Sequence, residues 1–584
     1  MPDMKKREKF LLAGISASSF VLSFATPAPS AFEDRRFGVM THFAHGWDPS
    51  WIPLIAQGAV TEVRDELYWQ EVEPEKGKFA FPDRYDRYMA GLKRSNLSPL
   101  IVLSFENKNY DQGETPYTDE GIAAYARYAV EVLRHYGKQI QAVEIWNEYN
   151  GSFCKGPAAQ DRAGTYLQML RVVYTAIKRE RPDVTVAAGA TSGIPMPYWE
   201  ELLTGGGLAF MDALSIHPYR YDLPPEGLET DIAGLQDLVK KYNGGKSKPI
   251  WVTEIGWGTR TSAAPGDLAI DDEMQAKFLV RAYALLFSAD VKRVYWYLLH
   301  DYQGLNMGLI SDDPTRTPKP AYFAMATMIR QLNGANFIKR ESTPDYLYSL
   351  LFARPSGDEV RVIWSLKPVV LAAKGVTAAV DLQGKAVAAT GNLKLNDSPL
   401  FVTGPLTGLP APLPVTEMPL ADSIHDFSDR QGGNGWSYGD FIGSSTAFNA
   451  LSTYTITDWT QAWTGKYPYI SLTARDQHPS CEGETPVAAV REWESDYAGP
   501  VRIAGQFHCG TQGDGVGVSI LVDGRRRFRK SLGGGNGTPV VESFDFIQTV
   551  QRGTKIDFAV DPGPAADINF DATAVSVTIT KEAR

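Results

Sequence analysis

Cysteine is scarce: Cys154, Cys481 and Cys509 are the only three in a chain of 584 residues. Three thiols allow one bridge at most, which Cys481 and Cys509 can form in an oxidising compartment, and their spacing fits no zinc pattern. Neither a disulfide scaffold nor a zinc module organises this protein. Positive charge is also in deficit, with 58 Lys and Arg against 68 Asp and Glu and a formal net charge of −10. That balance repels a phosphate backbone, so nucleic acid is not an expected partner. No Gly-x-Gly-x-x-Gly turn follows the first β-branched run, which removes the usual support for a dinucleotide site.

A comfortable membrane span is missing as well. The apolar stretch Phe10 to Phe24 is broken by Gly14 and several serines, follows Lys5, Lys6, Arg7 and Lys9, and leads into small residues and prolines from Ala25 to Ala31. This pattern predicts a cleaved export signal over residues 1–31, cut between Ala25 and Ala31, and a periplasmic or extracellular product with no stable membrane insertion. No cysteine follows it, which argues against a lipoprotein.

Hydrophobic residues make up 43% of the chain, enough for more than one core. From Arg36 to about Asn333 short β-branched runs alternate with amphipathic helical stretches such as Tyr166 to Lys178. The predicted strands are Phe37 to Phe43, Val60 to Leu67, Ser98 to Ser104, Gln141 to Trp146, Val184 to Ala190, Met211 to His217, Pro249 to Glu254 and Arg293 to Leu298. Eight such pairs imply an α/β fold, a closed (β/α)8 TIM barrel, over residues 32–335. A small accessory β-domain is expected over 336–404 and a Pro-rich linker over 405–424. The rest, 425–584, reads as an all-β sandwich or jelly roll, with turn signals at Asp523-Gly524 and in the glycines from Gly533.

Barrel enzymes place reactive groups at the C-terminal ends of their strands. Two strands end in a carboxylate: Val143-Glu144-Ile145-Trp146-Asn147-Glu148 and Ile250-Trp251-Val252-Thr253-Glu254. A carboxyl group beside tryptophan is partly desolvated and suits a general acid, while a second one opposite can attack an anomeric carbon. Retention of configuration needs the two about 5 to 5.5 Å apart, inversion about 6.5 to 9.5 Å.

The Asn-Glu step closing strand four and the Glu closing strand seven resemble glycoside hydrolase clan A, the retaining (β/α)8 glycosidases. Val63-Arg64, Trp69, the run Val72-Glu73-Pro74-Glu75-Lys76-Gly77 and the small β-domain bring the likeness nearest to family 39 and its bacterial exopolysaccharide-hydrolase relatives. The resemblance implies Glu148 as acid/base, Glu254 as nucleophile, and Asn147 as donor to the sugar 2-hydroxyl. It further implies that Tyr219, in His217-Pro218-Tyr219, donates to the nucleophile, that Trp296 is a stacking platform, and that Arg64 supports the nucleophile's charge. For Arg64 a buried structural ion pair is the alternative.

Other residues read less sharply. His42 and His45 end strand one and can line a sugar pocket; Glu144 reads as an interior hydrogen-bonding group. Asn107, Lys108 and Asn109 are subsite contacts or loop, and Cys154 is a bland thiol. Tyr110, Tyr117, Tyr149, Phe153, Tyr221 and Trp257 fall in loops at the mouth, where aromatic faces can stack on pyranose rings and favour binding within a chain. In the last region, Trp436, Trp459 and Trp463 form either a sugar platform, as in a carbohydrate-binding module, or sandwich core. Arg525, Arg526, Arg527, Arg529 and Lys530 read as a solvated hairpin edge, with an acidic polysaccharide as the alternative partner. No cofactor is expected; Asp561, Asp567 and Asp571 are the candidates for a calcium ion.

The expected function is a secreted, retaining, endo-acting glycoside hydrolase on a β-linked exopolysaccharide or hemicellulose. The alternatives are an exo-acting β-xylosidase-like enzyme and a noncatalytic polysaccharide-binding or matrix protein on the same fold. The sequence leaves oligomeric state open.

Overall fold

The computed structural model describes residues 34–584 apart from 221–222, 260–269, 345, 390, 407–408, 411–418, 425, 457–460, 484, 510–513, 534–539, 564–566, 570 and 583–584. The segment predicted to be an export signal, Tyr221, Trp459, much of the predicted linker and most of the glycine run therefore lie outside the described residues.

Eight parallel strands close a barrel in chain order. They are β1 (Phe37–Met40), β2 (Glu62–Tyr68), β3 (Ser98–Ser104), β4 (Ala142–Ile145), β5 (Thr185–Ser192), β6 (Ala213–His217), β7 (Ile250–Ile255) and β8 (Arg293–Trp296). Apart from β2, whose Glu62, Arg64, Asp65 and Glu66 are buried charges, the runs are mostly apolar without strict alternation because both faces are covered, by helices outside and by side chains within. The ring closes where Val39 of β1 pairs with Trp296 of β8.

Each strand is followed by a helix, and local chemistry sets where several begin. Thr118, Asp161 and Asp271 cap the helices Asp119–Tyr136, Arg162–Glu180 and Asp272–Ser288 by accepting from the N–H of Gly121, Gly164 and Met274. The helix Asp119–Tyr136 buries Ile122, Tyr125, Ala129, Val132 and Leu133, a stripe at helical spacing. Its Tyr125 and Tyr128 hydroxyls donate to the Leu103 and Leu67 carbonyls, and Tyr166 of the next helix donates to Ile145 O at 2.9 Å. Tyrosines thus clamp the C-terminal ends of β2, β3 and β4, where the site lies.

Beyond the barrel, Ala378–Val380, Leu400–Thr403, Glu359–Ser365, Leu347–Ala353 and Asn336–Arg340 form a five-stranded antiparallel sheet in that order. It is tied to the barrel by Lys277 to Asp397 at 3.0 Å and by the Trp364 indole N–H donating to Glu226 at 2.9 Å. The C-terminal region holds two further antiparallel sheets, of eight and seven strands, around a shared core. Trp436 and Trp463 belong to that core, at 0% and 6% exposure, so they are not a sugar platform. Their alternation with outward residues puts them between the sheets. The Arg-rich strand Arg525–Leu532 is the outer edge of the seven-stranded sheet. No disulfide joins Cys481 and Cys509. No helix of the described residues is long and apolar enough to cross a membrane.

Candidate active site

The end of β4 departs from strand geometry. Trp146 and Glu148 both adopt left-handed backbone, with φ of 67° and 45°. Such conformations cost about 1–3 kcal/mol each in a non-glycine residue and collect at functional sites. Neighbours in a regular strand point to opposite faces; here the reversal lets Asn147 and Glu148 both reach the barrel mouth. Tryptophan 146 turns the other way, fully buried, its N–H on the Phe153 carbonyl at 3.0 Å.

Glu254, the penultimate residue of β7, is buried at 8% exposure. Arg64, wholly buried on β2, ties three groups together. It donates to Glu254 Oε1 at 2.5 Å, to Glu144 Oε2 at 2.6 Å and to Asn147 Oδ1 at 2.7 Å. Tyr219 donates to the other Glu254 oxygen at 2.8 Å. Arg64 thus pairs with Glu144 in the barrel interior and with Glu254 at the mouth. Burial alone would raise the Glu254 pKa, but His217, Arg64 and the Tyr219 hydroxyl together hold it below the ordinary glutamate value.

His217, at the end of β6, stands between the two carboxylates. Its Nδ1 lies 3.0 Å from Glu148 Oε1 and 3.8 Å from Glu254 Oε2, while Nε2 meets Thr253 Oγ1 at 3.1 Å. Burial opposes a charged ring here; Glu254 and the bond to Glu148 outweigh it, and the His217 pKa is raised. The nearest donor atoms of Glu148, His217 and Glu254 all lie within 4.8 Å of one another.

On the β1 side, His42 faces Glu66 at 3.4 Å and Tyr297 at 3.2 Å. Burial disfavours its charge, yet Glu66 overcomes this and raises the His42 pKa. His42, His45, Tyr68, Phe105 and Phe153 then form a run of stacked rings along the mouth, with centroids 4.6, 5.8, 6.1 and 5.2 Å apart in turn.

Among the described residues, two groups of side chains bring three metal-type donors together, His42-His45-Glu66 and Glu148-His217-Glu254. The first does not suit an ion, since the two imidazoles stack within 9° of parallel and their in-plane lone pairs cannot converge on one point. In the second, the Arg64 guanidinium already supplies the cation on Glu254, and both ring nitrogens of His217 are engaged. Asp561, Asp567 and Asp571 bring no three such donors within that distance among the described residues, although burial and neighbouring Asp514, Asp567 and Asp561 push Asp571 up to about 8.

Several expectations need correction. Trp296 is fully buried, donates to the Met307 carbonyl at 2.9 Å and offers no face to a sugar. The next residue, Tyr297, occupies the mouth instead, beside His42 and Tyr219. Tyr149 and Trp257 are buried, and Tyr110 is held at 2.6 Å by Glu73, so of the described mouth aromatics Phe153, at 36% exposure, is the one most open to solvent. Asn107 is buried and donates to the Glu73 carbonyl at 2.9 Å, a loop brace. Cys154 is a buried thiol, pushed by burial up to about 11. Glu66 and Tyr297 escaped the sequence reading. The spacing of Glu66, two residues past Arg64 on one strand face, was the available signal.

Tyr219→Phe removes one donor from Glu254 and so raises its pKa. The acid limb of the pH profile of kcat/KM is expected to move to higher pH, with a loss on the order of 10-fold at neutral pH. An unmoved limb would show that Tyr219 does not act on this carboxylate.

Comparison with known proteins agrees with this geometry. Residues 126–319 match the family model described as glycosyl hydrolase catalytic core. A family 39 glycoside hydrolase from the gut symbiont Bacteroides cellulosilyticus WH2 is similar at 25% identity, over 63% of this chain and 81% of that one, with a TM-score of 0.55. A family 39 β-xylosidase from Caulobacter crescentus is 17% identical over 64% of this chain and 97% of its own, with a TM-score of 0.47. No curated protein matches. A closed barrel with two glutamates at its mouth, matched from within the helix Asp119–Tyr136 to just past β8 by a glycosyl hydrolase catalytic core, marks this protein as a glycoside hydrolase whose fold is similar to that of the family 39 enzyme.

Proposed function

We propose that the protein is an exported, retaining enzyme that cleaves β-linked polysaccharide within the chain by double displacement. The observation that carries this reading is the separation of Glu148 and Glu254, whose nearest oxygens lie within 4.8 Å. In the first step Glu254, kept ionised by Arg64 and Tyr219, attacks the anomeric carbon as the bond to the leaving oxygen breaks. Glu148 delivers its proton to that oxygen. In the second step Glu148 removes a proton from water, which attacks the same carbon and releases Glu254. Asn147, fixed by Arg64, is placed to bond the sugar 2-hydroxyl, and His42 with Tyr297 and Glu66 lines the glycone side.

Endo action is supported by the Phe153 ring, exposed on the loop that carries Glu148 and stacked on Phe105 at 5.2 Å. An open aromatic face there can hold a sugar on the leaving-group side. The competing reading is an exo-acting, β-xylosidase-like enzyme. Digestion of a panel of β-linked polysaccharides, followed by proton NMR of fresh products, tests the proposal. A ladder of oligomers released first as β-anomers is expected. Release of α-anomers would overturn retention, and a lone monosaccharide would overturn endo action.

A further inference from the structure

A cleft of about 140 Å³ opens on the outer face of the seven-stranded sheet of the sandwich, far in sequence from the catalytic pair. Small side chains lie in its floor beside the larger Phe441 and Leu521. Ala488, Ser519 and Ala559 alternate with the core residues Val487, Val518, Ile520 and Phe558, so they point away from the core. One wall is the Ser444-Ser445-Thr446 loop; the other is Arg526 and Arg529 of the edge strand.

The placement of those two arginines is specific. Residues three apart in an unbroken strand point to opposite faces. Here Ser519 pairs with Arg529, Ile520 with Phe528 and Leu521 with Arg526, a register shift that leaves Arg527 as an unpaired bulge. The bulge turns Arg526 to the same face as Arg529, and both guanidinium groups line the cleft. Arg529 reaches Asp561 at 3.5 Å. Arg526 has no acidic partner among the described residues. A solvated edge needs only exposed charge; it does not need the charges turned onto one side over a hollow.

From this geometry we infer that the cleft is a second saccharide site, which binds a carboxylate-bearing (uronic acid) stretch of polysaccharide and anchors the enzyme to it. Guanidinium groups take carboxylates in a two-pronged fit, the Ser444, Ser445, Thr446 and Ser519 hydroxyls match sugar hydroxyls, and the small residues of the floor admit a ring against the sheet. The anchoring role rests on the polysaccharide reading above; the binding itself does not. A second site on the same chain raises the local concentration of substrate at the barrel without new contacts there.

Native electrophoresis of the full chain, carrying Glu254→Gln to prevent digestion, tests this in gels containing polygalacturonate, alginate, neutral xylan or DNA. Retardation is expected in the two uronate gels and not in xylan or DNA. R526A/R529A and A559W, which fills the cleft at constant charge, are each expected to weaken it at least 10-fold. R525A/R527A removes the same charge outside the cleft and is expected to leave it unchanged. Hydrolysis of a small aryl glycoside by the same cleft variants in the Glu254 background is expected at the parental rate, which separates this site from the catalytic reading. Absence of retardation, equal retardation by DNA, or an R525A/R527A loss equal to that of R526A/R529A would overturn the site. If A559W unfolds, R526E/R529E decides in its place.

Discussion

Glu254→Gln is expected to lower kcat by about 10⁴–10⁶-fold, the scale on which loss of a covalent nucleophile is felt. The fold should survive, because Arg64 keeps Glu144 at 2.6 Å and Asn147 at 2.7 Å after its bond to position 254 is weakened. A shorter variant, Glu254→Ala, adds a diagnostic. Azide can enter the vacated space and attack from the side where the carboxylate stood, giving an α-glycosyl azide from a β-linked substrate. Steady-state kinetics with an unchanged thermal midpoint checks the first expectation, and NMR of the azide product checks the second. Wild-type turnover in Glu254→Gln would remove this residue from the chemistry.

Glu148→Gln separates the two steps. With a natural polysaccharide, whose leaving oxygen needs a proton, a loss of about 10²–10⁴-fold is expected. A dinitrophenyl glycoside needs no such help, so its glycosyl transfer to Glu254 should stay fast while the hydrolysis that follows stalls for want of a base. The measurement is a burst of dinitrophenol followed by a slow steady state. Azide, already anionic, should speed that second phase and yield a β-glycosyl azide. An equal loss on both substrates would place the residue outside proton transfer.

The two predictions differ because the structure places these carboxylates in different surroundings. Glu254 has Arg64 on one oxygen and Tyr219 on the other, both stabilising its charge. Glu148 has only the His217 ring at 3.0 Å and is the more open of the two. A nucleophile has to be ionised throughout, whereas an acid/base has to gain and lose a proton in each cycle.

The barrel was legible because its strands are short, mostly apolar runs alternating with helical stretches, a local pattern that no distant contact had to complete. The two glutamates that meet at the mouth were legible for the same reason, as polar residues at the ends of such runs. Trp296 was misread as a platform because the chain turns at that point: the buried ring belongs to residue 296 and the one in the mouth to Tyr297. Trp436 and Trp463 could not be assigned from sequence, since a tryptophan on a strand serves a core or a ligand equally well until the facing sheet is known.

Strand periodicity was enough to point to a closed barrel, and the residues ending its fourth and seventh runs to name two acids at its mouth. Spacing along a chain carries no distance across it. The approach of Glu148 to Glu254, the sharing of Arg64 among Glu254, Glu144 and Asn147, and the turning of Arg526 onto the face of Arg529 join positions dozens to hundreds of residues apart or depend on one inserted residue. Only closure of the barrel and pairing of the sheets could decide them.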